Sequence, residues 1–325
     1  RAFTATSGPG VSLMTEFIGL AHFAEIPATI VNVQRGGPST GMPTRTQQAD
    51  VLACAYASHG DTKHILLFPE DPFEAFEQSA AALDLADRLQ TPVFVMLDLD
   101  IGMNQRLCKP FAWDESRQYD RGKVLSCEEL ESGRPFGRYR DVDGDGIPFR
   151  TYPGTHPSRG AFFTRGTTKN VDAGYSERGP DYLENVHRLV RKFHTARGLV
   201  PQPVVRMAAR PTRIGVLYYG STSPAMHECA ELLASEGMAV DLMRIRAFPF
   251  PESVRDFVLG HAVVFLVEQN RDAQLRTLLV NEFALDPARI HPVLHYDGTP
   301  ITARFISRAI RDRVELLVHQ EGRAA

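Results

Sequence analysis

The stretch Arg35–Pro43 places one cation and two hydroxyl groups on a loop that follows a short apolar run. It reads Arg-Gly-Gly-Pro-Ser-Thr-Gly-Met-Pro. An arginine holds a carboxylate through two parallel charge-assisted hydrogen bonds, and neighbouring hydroxyls add neutral ones. The pattern therefore predicts a site for a small carboxylate, with Arg35, Ser39 and Thr40 as binding residues. A solvated loop arginine is the alternative interpretation, and this segment alone leaves both open.

A second candidate is the turn Thr6–Gly10, which precedes an amphipathic segment and contains Ser7, Gly8, Pro9 and Gly10. A glycine-rich turn at the positive end of a helix lets backbone N–H groups approach a ligand closely. It is not the dinucleotide-binding motif, because the Gly-x-Gly-x-x-Gly spacing is missing. A tight strand-to-helix turn without a ligand is an equally open interpretation.

The segment Asp141–Gly146 has the aspartate spacing of a calcium-binding loop. Position twelve of such a loop would be Tyr152 instead of a bidentate glutamate, so we expect a polar turn. No metal site is predicted in this chain.

Alternating apolar strands and helical segments up to about residue 104 predict parallel βαβ units. The predicted strands are Ala28–Val33, His64–Phe68 and Pro92–Leu97, and the predicted helices are Val11–Phe23, Thr46–Ser58 and Pro72–Leu89. Ligands of open α/β sheets bind at the carboxyl ends of the strands. The strand that ends at Val33 should therefore deliver Arg35 to the ligand-binding edge.

The rest of the chain divides into a polar middle region and a second alternating region. Residues from about 105 to 210 show one credible helix, Pro180–Thr195, and form a long connecting region. From Thr212 onward strands and helices alternate again. We predict a first domain of residues 1–200, which includes the connecting region, and a smaller α/β domain of residues 211–325.

Composition narrows the function classes. The net charge of -3 and the lack of a basic run argue against a nucleic-acid-binding protein. The four cysteines form no Cys-x-x-Cys pair, which argues against a zinc or iron–sulfur site in this chain and fits a reducing cytoplasm. No apolar run reaches the roughly 18 residues that a membrane span needs, so we expect a cytoplasmic protein without a membrane partner.

Two motifs that follow each other along the chain resemble those of a known family. The turn Thr6–Gly10, followed after one helix and one strand by Val33–Thr44, resembles the alpha subunits of 2-oxoacid:ferredoxin oxidoreductases, most closely the 2-oxoglutarate type. The likeness extends over most of the chain, through Ser58–Asp61, Arg138–Pro148, Val267–Asn270 and Tyr296–Gly298. The resemblance implies an α/β fold in which a thiamine-diphosphate pyrimidine-binding (Pyr) domain with a parallel sheet precedes a transketolase C-terminal-like domain.

The resemblance also implies an enzyme that works only as a complex. A beta subunit would carry the diphosphate-binding domain, Mg2+ and a [4Fe-4S] cluster. The complex would oxidise 2-oxoglutarate to succinyl-CoA with coenzyme A and reduce ferredoxin. In this chain Ser7, Gly8, Pro9 and Gly10 would contact thiamine diphosphate, and Arg35, Ser39 and Thr40 the substrate. The basic loop Arg165–Lys169 is a hypothetical site for coenzyme A phosphates.

Three alternatives stay open at this point. The substrate could instead be pyruvate or a branched-chain 2-oxoacid, the enzyme could be a thiamine-dependent decarboxylase or synthase without electron transfer, or the chain could be a non-catalytic scaffold that docks a catalytic beta subunit. In the family, a Tyr-Pro-Ile-Thr-Pro motif and the glutamate that activates the aminopyrimidine lie upstream of the glycine-rich turn. The resemblance therefore implies that this chain is part of a longer subunit and that no catalytic residue lies within it.

Overall fold

The computed structural model describes residues 1–160 and 164–324. The first region builds a sheet whose strands run parallel in the spatial order β1-β2-β4-β3, with helices packed against it. Its elements are β1 (Phe3–Thr6), α1 (Gly8–Ala24), β2 (Ala28–Gln34), α2 (Val51–Ala55), β3 (Ile65–Leu67), α3 (Pro72–Leu89), β4 (Pro92–Asp98) and α4 (Leu99–Met103). The predicted parallel βαβ arrangement is confirmed.

The described residues of the middle region form two helices, α5 (Cys127–Glu131) and α6 (Gly179–Ala196). The predicted helix Pro180–Thr195 is confirmed as α6. Pro180 in its first turn favours a helix start, because the missing N–H is one that a helix leaves unpaired anyway.

The second region forms another mainly parallel sheet, in the order β10-β9-β6-β7-β5. Its elements are β5 (Val204–Arg206), β6 (Ile214–Tyr219), α7 (Ser223–Ser235), β7 (Asp241–Ile245), β8 (Ala247–Phe248), α8 (Glu252–Gly260), β9 (Val263–Glu268), α9 (Gln274–Phe283), β10 (Ile290–Leu294) and α10 (Ala303–Ala324). The short strand β8 leaves this sheet and pairs antiparallel with β3 of the first one.

The two sheets share one apolar core. Leu66 and Phe94 of the first sheet lie in the same buried cluster as Leu217 and Leu266 of the second, and Phe248 of β8 also belongs to it. The division into domains at residues 200 and 211 stays a prediction, since β8 connects the two regions.

One helix is shorter in the structure than the sequence predicts, so this prediction is wrong in its bounds. Residues 46–58 were expected to be helical throughout, but the helix covers only Val51–Ala55. The N–H of Gln48 donates to the carbonyl of Gln269, and that of Asp50 donates to Oε1 of Gln34 at 3.0 Å. These long-range bonds replace the helical ones, because each backbone donor needs a single partner.

A buried ion cluster fastens the middle region to the end of α1. Glu25 is almost fully buried and receives two hydrogen bonds from Arg188, at 2.8 and 2.7 Å, and one from Lys192. Arg138 donates to the carbonyl of Glu25 at 3.0 Å. Burial alone would raise the pKa of Glu25, but the charges of Arg188 and Lys192 hold it well below its ordinary range.

Lys169 belongs to the same buried environment. Its ammonium group donates to the carbonyls of Phe23 and Arg165 and lies over the rings of Phe23 and Tyr139. Because the side chain is almost fully buried, it is not available to a phosphate in solution. Lys169 is therefore not a binding residue for coenzyme A, whereas a role of the other residues of Arg165–Lys169 stays a hypothesis.

We expect Lys169→Met to flatten the dependence of stability on pH. Burial lowers the pKa of Lys169 from 10.5 to about 7. Between these values the unfolded chain binds more protons than the folded one, so the free energy of unfolding rises with pH in this window. The variant loses this contribution, which denaturant unfolding at several pH values measures. Lys109→Met, at an exposed lysine, is the matched control. Equal pH slopes for Lys169→Met and the parent protein would contradict the assignment.

Candidate functional site

A cleft of about 920 Å3 opens where β2 ends. The N-terminus of α1, the loop after β2, the start of α2 and the segment after β9 form its walls. The lining includes Gly8, Pro9, Arg35, Ser39, Asp50 and Asn270. The structure thus brings the two motifs singled out in the sequence together in one cleft, at the carboxyl edge of a parallel sheet where ligands bind.

Arg35 is half-buried and directly follows β2. Its Nε is buried and has no hydrogen-bond partner in the described part of the chain. A buried donor without an acceptor costs about 1–3 kcal/mol, so such a group is normally paired. The unpaired guanidinium in a cleft is suited to receive a carboxylate ligand.

The loop that follows Arg35 is closed by hydrogen bonds from two of its backbone N–H groups. The N–H of Met42 donates to the carbonyl of Gly36 at 2.8 Å, and Gly37 donates to Oε1 of Gln47 at 3.0 Å. Gly41 has φ 47°, and a Cβ there would lie 2.1 Å from the carbonyl oxygen of Gly36. The loop therefore needs glycine at this position to close.

The two hydroxyl residues of this loop differ in position. Ser39 lines the cleft beside Arg35, whereas Thr40 is exposed and not part of the described lining. The role of Ser39 and Thr40 in binding stays a prediction, and the geometry favours Ser39.

The residues of the glycine-rich turn also differ in whether they line the cleft. Gly8 and Pro9 line the cleft, while Ser7 and Gly10 are not part of the described lining. A Cβ on Gly10 would lie 1.9 Å from Oγ1 of Thr6, so close packing within the turn already explains that glycine. Ser7 is the N-cap of α1, and its side chain makes no capping hydrogen bond in the described structure. The positive end of α1 therefore borders the cleft without a side-chain acceptor from its own cap.

Asp50 is a cleft residue that the sequence analysis missed. Its Oδ2 accepts a hydrogen bond from Nδ2 of Asn32 at 3.1 Å, and Gln34 binds its backbone N–H. Burial raises the pKa of Asp50, an effect that the Asn32 hydrogen bond and the charge of Arg35 offset in part. The available sequence signal was Asn32 and Gln34 themselves, two polar residues on the same face of an otherwise apolar strand.

The residues that follow β9 form the wall of the cleft that belongs to the second region. Nδ2 of Asn270 donates to the carbonyl of Gln48 at 3.1 Å and to Oε2 of Glu268 at 2.9 Å. The amide oxygen of Asn270 accepts from the N–H of Gln274 at the start of α9. Asn270 therefore fixes the start of α9 against the cleft.

The segment Asp141–Gly146, which has the aspartate spacing of a calcium-binding loop, is held by a lysine and by its own backbone N–H groups. Nζ of Lys123 lies 2.7 Å from Asp143 and 2.8 Å from Asp145, and Asp141 accepts backbone hydrogen bonds from within the loop. This arrangement is the polar turn that we expected, with a lysine ammonium between the carboxylates.

Within residues 1–160 and 164–324, one group of three side chains has metal-ligating types and close ligand atoms. Cys127, Glu131 and His156 bring one ligand atom each within 4.8 Å of one another. Nδ1 of His156 accepts the N–H groups of Ser158 and Arg159, at 3.1 and 3.0 Å. The neutral ring then carries its proton on Nε2 and has no lone pair left for a metal.

Comparisons with known proteins point in one direction. Residues 1–119 match the family model described as pyruvate flavodoxin/ferredoxin oxidoreductase, thiamine diP-bdg. Subunit alpha of 2-oxoacid:ferredoxin oxidoreductase 1 from Aeropyrum pernix is 46% identical over 97% of this chain and 48% of that protein. The 2-oxoglutarate synthase subunit KorA from Methanothermobacter thermautotrophicus is 32% identical over 83% of this chain and 69% of that protein.

A solved structure agrees with these relatives. The 2-oxoglutarate:ferredoxin oxidoreductase from Magnetococcus marinus, with 2-oxoglutarate, coenzyme A and succinyl-CoA bound, superposes with a TM-score of 0.83 at 26% identity. The match covers 95% of this chain and 52% of that one. The chain spans about half the length of the alpha subunits from Saccharolobus solfataricus and Aeropyrum pernix that it matches. Within the described residues, each helix is too short or too polar to cross a membrane.

Proposed function

We propose that this chain, which belongs to the family of 2-oxoacid:ferredoxin oxidoreductase alpha subunits, forms the part of the active site that receives the 2-oxoacid. The observation that carries the proposal is that Arg35 lines the cleft at the end of β2 and has a buried Nε without a hydrogen-bond partner in the described part of the chain. A guanidinium group there can hold the carboxylate of the substrate and fix its orientation, with Ser39 beside it. The keto carbon would then point into the cleft.

The residues present fit thiamine diphosphate as the cofactor of this site. The cleft is large enough for a flat ring and is bordered by the backbone of Gly8 and Pro9 and by the positive end of α1. When bound, thiamine diphosphate supplies the carbanion chemistry that lets CO2 leave a 2-oxoacid. Gly8 and Pro9 would face the ring, while Ser7 and Gly10 maintain the turn. The Mg2+ ion, the [4Fe-4S] cluster and the diphosphate-binding domain are assigned to a beta subunit.

We propose 2-oxoglutarate as the substrate, with coenzyme A and ferredoxin as the other reactants. In this reaction 2-oxoglutarate and coenzyme A give succinyl-CoA and CO2, and two electrons pass to ferredoxin. The support is the name of the Methanothermobacter relative and the 2-oxoglutarate and succinyl-CoA in the Magnetococcus structure. Pyruvate and branched-chain 2-oxoacids are the alternatives within the same mechanism.

The test is the reduction of a viologen dye by the full-length alpha subunit co-purified with its beta subunit. The 2-oxoacids compared are 2-oxoglutarate, pyruvate and 2-oxoisovalerate, each with and without coenzyme A. Reduction that depends on coenzyme A and occurs with 2-oxoglutarate but not with the other two 2-oxoacids supports both the enzyme class and the substrate. Preference for another 2-oxoacid keeps the mechanism and overturns the substrate. No reduction with any of them, despite bound cofactor and cluster, overturns the proposal.

We assign the exposed face of α1 to the beta subunit. Leu13, Phe17 and Leu20 lie four and three residues apart, which puts them on one side of the helix, and they are 87%, 70% and 42% exposed. Leu13 also lines the cleft, so the apolar face continues from the substrate site. Large apolar and aromatic side chains on one continuous surface are typical of the centre of a protein–protein interface.

We expect Phe17→Glu to weaken binding of the beta subunit by at least about tenfold, since a charge buried in an apolar interface costs more than the 1.4 kcal/mol that corresponds to that factor. Co-purification and a titration of the two subunits measure this effect. Val318→Glu on α10 makes the same charge change at a residue 63% exposed and should leave the affinity unchanged. If both variants bind the beta subunit as the parent does, the interface lies elsewhere.

A further inference from the structure

Two carboxylates line the described part of the cleft, the half-buried Asp50 and the exposed Asp272. Both carboxylate oxygens of Asp50 would lie 2.8 Å from a Cβ on Gly8, so the group is packed against the glycine-rich turn. Oδ2 is held by Asn32, and the backbone of Asp50 is held by Gln34, which itself donates to the carbonyl of Leu97. The carboxylate is therefore fixed in position on the wall that also carries Arg35.

Among the charged groups in the described lining of the cleft, Arg35 is the one whose charge affects the pKa of Asp50. On α2, burial raises the pKa of Cys54 well above its ordinary value, so that thiol stays neutral. At the rim, Arg271 and Asp272 pair with each other at 2.7 Å, and both side chains are mostly exposed. Tyr296 also lines the cleft and is half exposed.

The groups that hold Asp50 from its other sides are neutral. Asn32 and Gln34 project from β2, and on α9 the amide of Gln274 donates to the carbonyl of Ala49 and accepts from the N–H of Leu52. Among the described lining residues, Arg35 is thus the cation whose charge favours the ionised form of Asp50.

We propose that Asp50 takes up one proton from solvent when a 2-oxoacid carboxylate binds at Arg35, so that binding is tighter at lower pH. This inference rests on the proposed function, because it assumes that Arg35 receives the substrate carboxylate. Binding neutralises the charge of Arg35 and adds a second negative charge to the cleft. Two carboxylates that share a site cannot both ionise easily, and one of them gains a proton.

The protonated form of Asp50 also changes the chemistry of the cleft. A neutral carboxylic acid offers one O–H donor, whereas the carboxylate can only accept hydrogen bonds. Burial already raises the pKa of Asp50, and the negative charge of the substrate raises it further. The substrate anion thereby gains a hydrogen-bond donor and avoids a like charge.

Calorimetry of the complete alpha–beta complex with thiamine diphosphate tests this inference. The probe is 2-hydroxyglutarate, which has the carboxylates of 2-oxoglutarate but lacks the keto group that reacts. Titrations in phosphate and in Tris buffer report proton uptake, because the two buffers release protons with different enthalpies. We expect the binding heats to differ, and the dissociation constant to rise by up to about tenfold per pH unit between the pKa values of free and substrate-bound Asp50.

Two substitutions sharpen the result. Asp50→Asn keeps an acceptor for Asn32 and should make the heats equal in both buffers. Asp256→Asn, at an exposed carboxylate of α8 that is not part of the described cleft lining, should keep the buffer difference of the parent complex.

The outcomes separate this inference from the proposed function. Equal heats and a pH-independent dissociation constant in the wild-type complex would overturn the role of Asp50 and leave the carboxylate site intact. The same holds if Asp50→Asn keeps the buffer difference. No binding of 2-hydroxyglutarate would overturn 2-oxoglutarate as the ligand, and no binding of lactate or 2-hydroxyisovalerate either would overturn the carboxylate site itself. The wild-type titrations decide the matter even where Asp50→Asn impairs assembly.

Discussion

Replacing Arg35 with alanine should lower kcat/KM for the 2-oxoacid by about 100- to 1,000-fold without loss of the beta subunit. Charge-assisted hydrogen bonds contribute about 1.5–3 kcal/mol each, and a guanidinium group makes two of them to a carboxylate. A loss of about 3–4 kcal/mol in transition-state binding corresponds to the stated factor. Steady-state rates of dye reduction at several 2-oxoacid concentrations measure it.

Two further variants make the Arg35 experiment specific. Arg45→Ala removes the same charge from an exposed position of the same loop and should change kcat/KM by less than about threefold, as exposed charges contribute little. Arg35→Lys keeps the charge but not the planar two-donor geometry, so it should recover part of the rate. If Arg35→Ala impairs only assembly and leaves KM and kcat unchanged, the scaffold interpretation is correct.

Glu25→Gln should lower the free energy of unfolding by about 3–5 kcal/mol, the usual cost of removing one partner from a buried ion pair. Arg188 and Lys192 donate to this carboxylate while both are nearly fully buried. Glutamine keeps the size but not the charge, so the two cations would remain in a dry environment without compensation. Chemical denaturation followed by circular dichroism measures the change.

The matched control for this variant is Glu184→Gln. Glu184 lies on α6, pairs with Arg191 at 2.8 Å and is half exposed. Its replacement should change stability by less than about 1 kcal/mol, because solvent screens such a pair. Similar losses for both variants would mean that the buried cluster does not fasten the middle region.

The position of Arg35 was predictable because it depends on local signals. The apolar, β-branched run before it predicts a buried strand, and the strand end fixes the edge of the sheet at which the loop emerges. The predicted fold class, parallel α/β sheets with a thiamine-diphosphate-binding domain, is confirmed by the structure and the family match.

The parts that could not be predicted depend on contacts distant in sequence. Asp50 was assigned to a helix, and its burial against Gly8 follows from tertiary hydrogen bonds that no local pattern encodes. Glu25 and Arg188 are separated by 163 positions. Lys169 resembles a solvent-exposed basic residue in the sequence, and only its packing against Phe23 and Tyr139 shows that it is internal.

The pairing of β8 with β3 limits how this protein can be divided or recombined. A cut at residues 201–211 would remove Ala247 and Phe248 from Leu67 and Leu66, and with them the strand that covers this side of the first sheet. The exposed backbone of β3 would then be free to pair with other chains and promote aggregation. A hybrid that exchanges the second region with that of a relative must therefore keep the match between these two strands, even though they lie 180 residues apart in the chain.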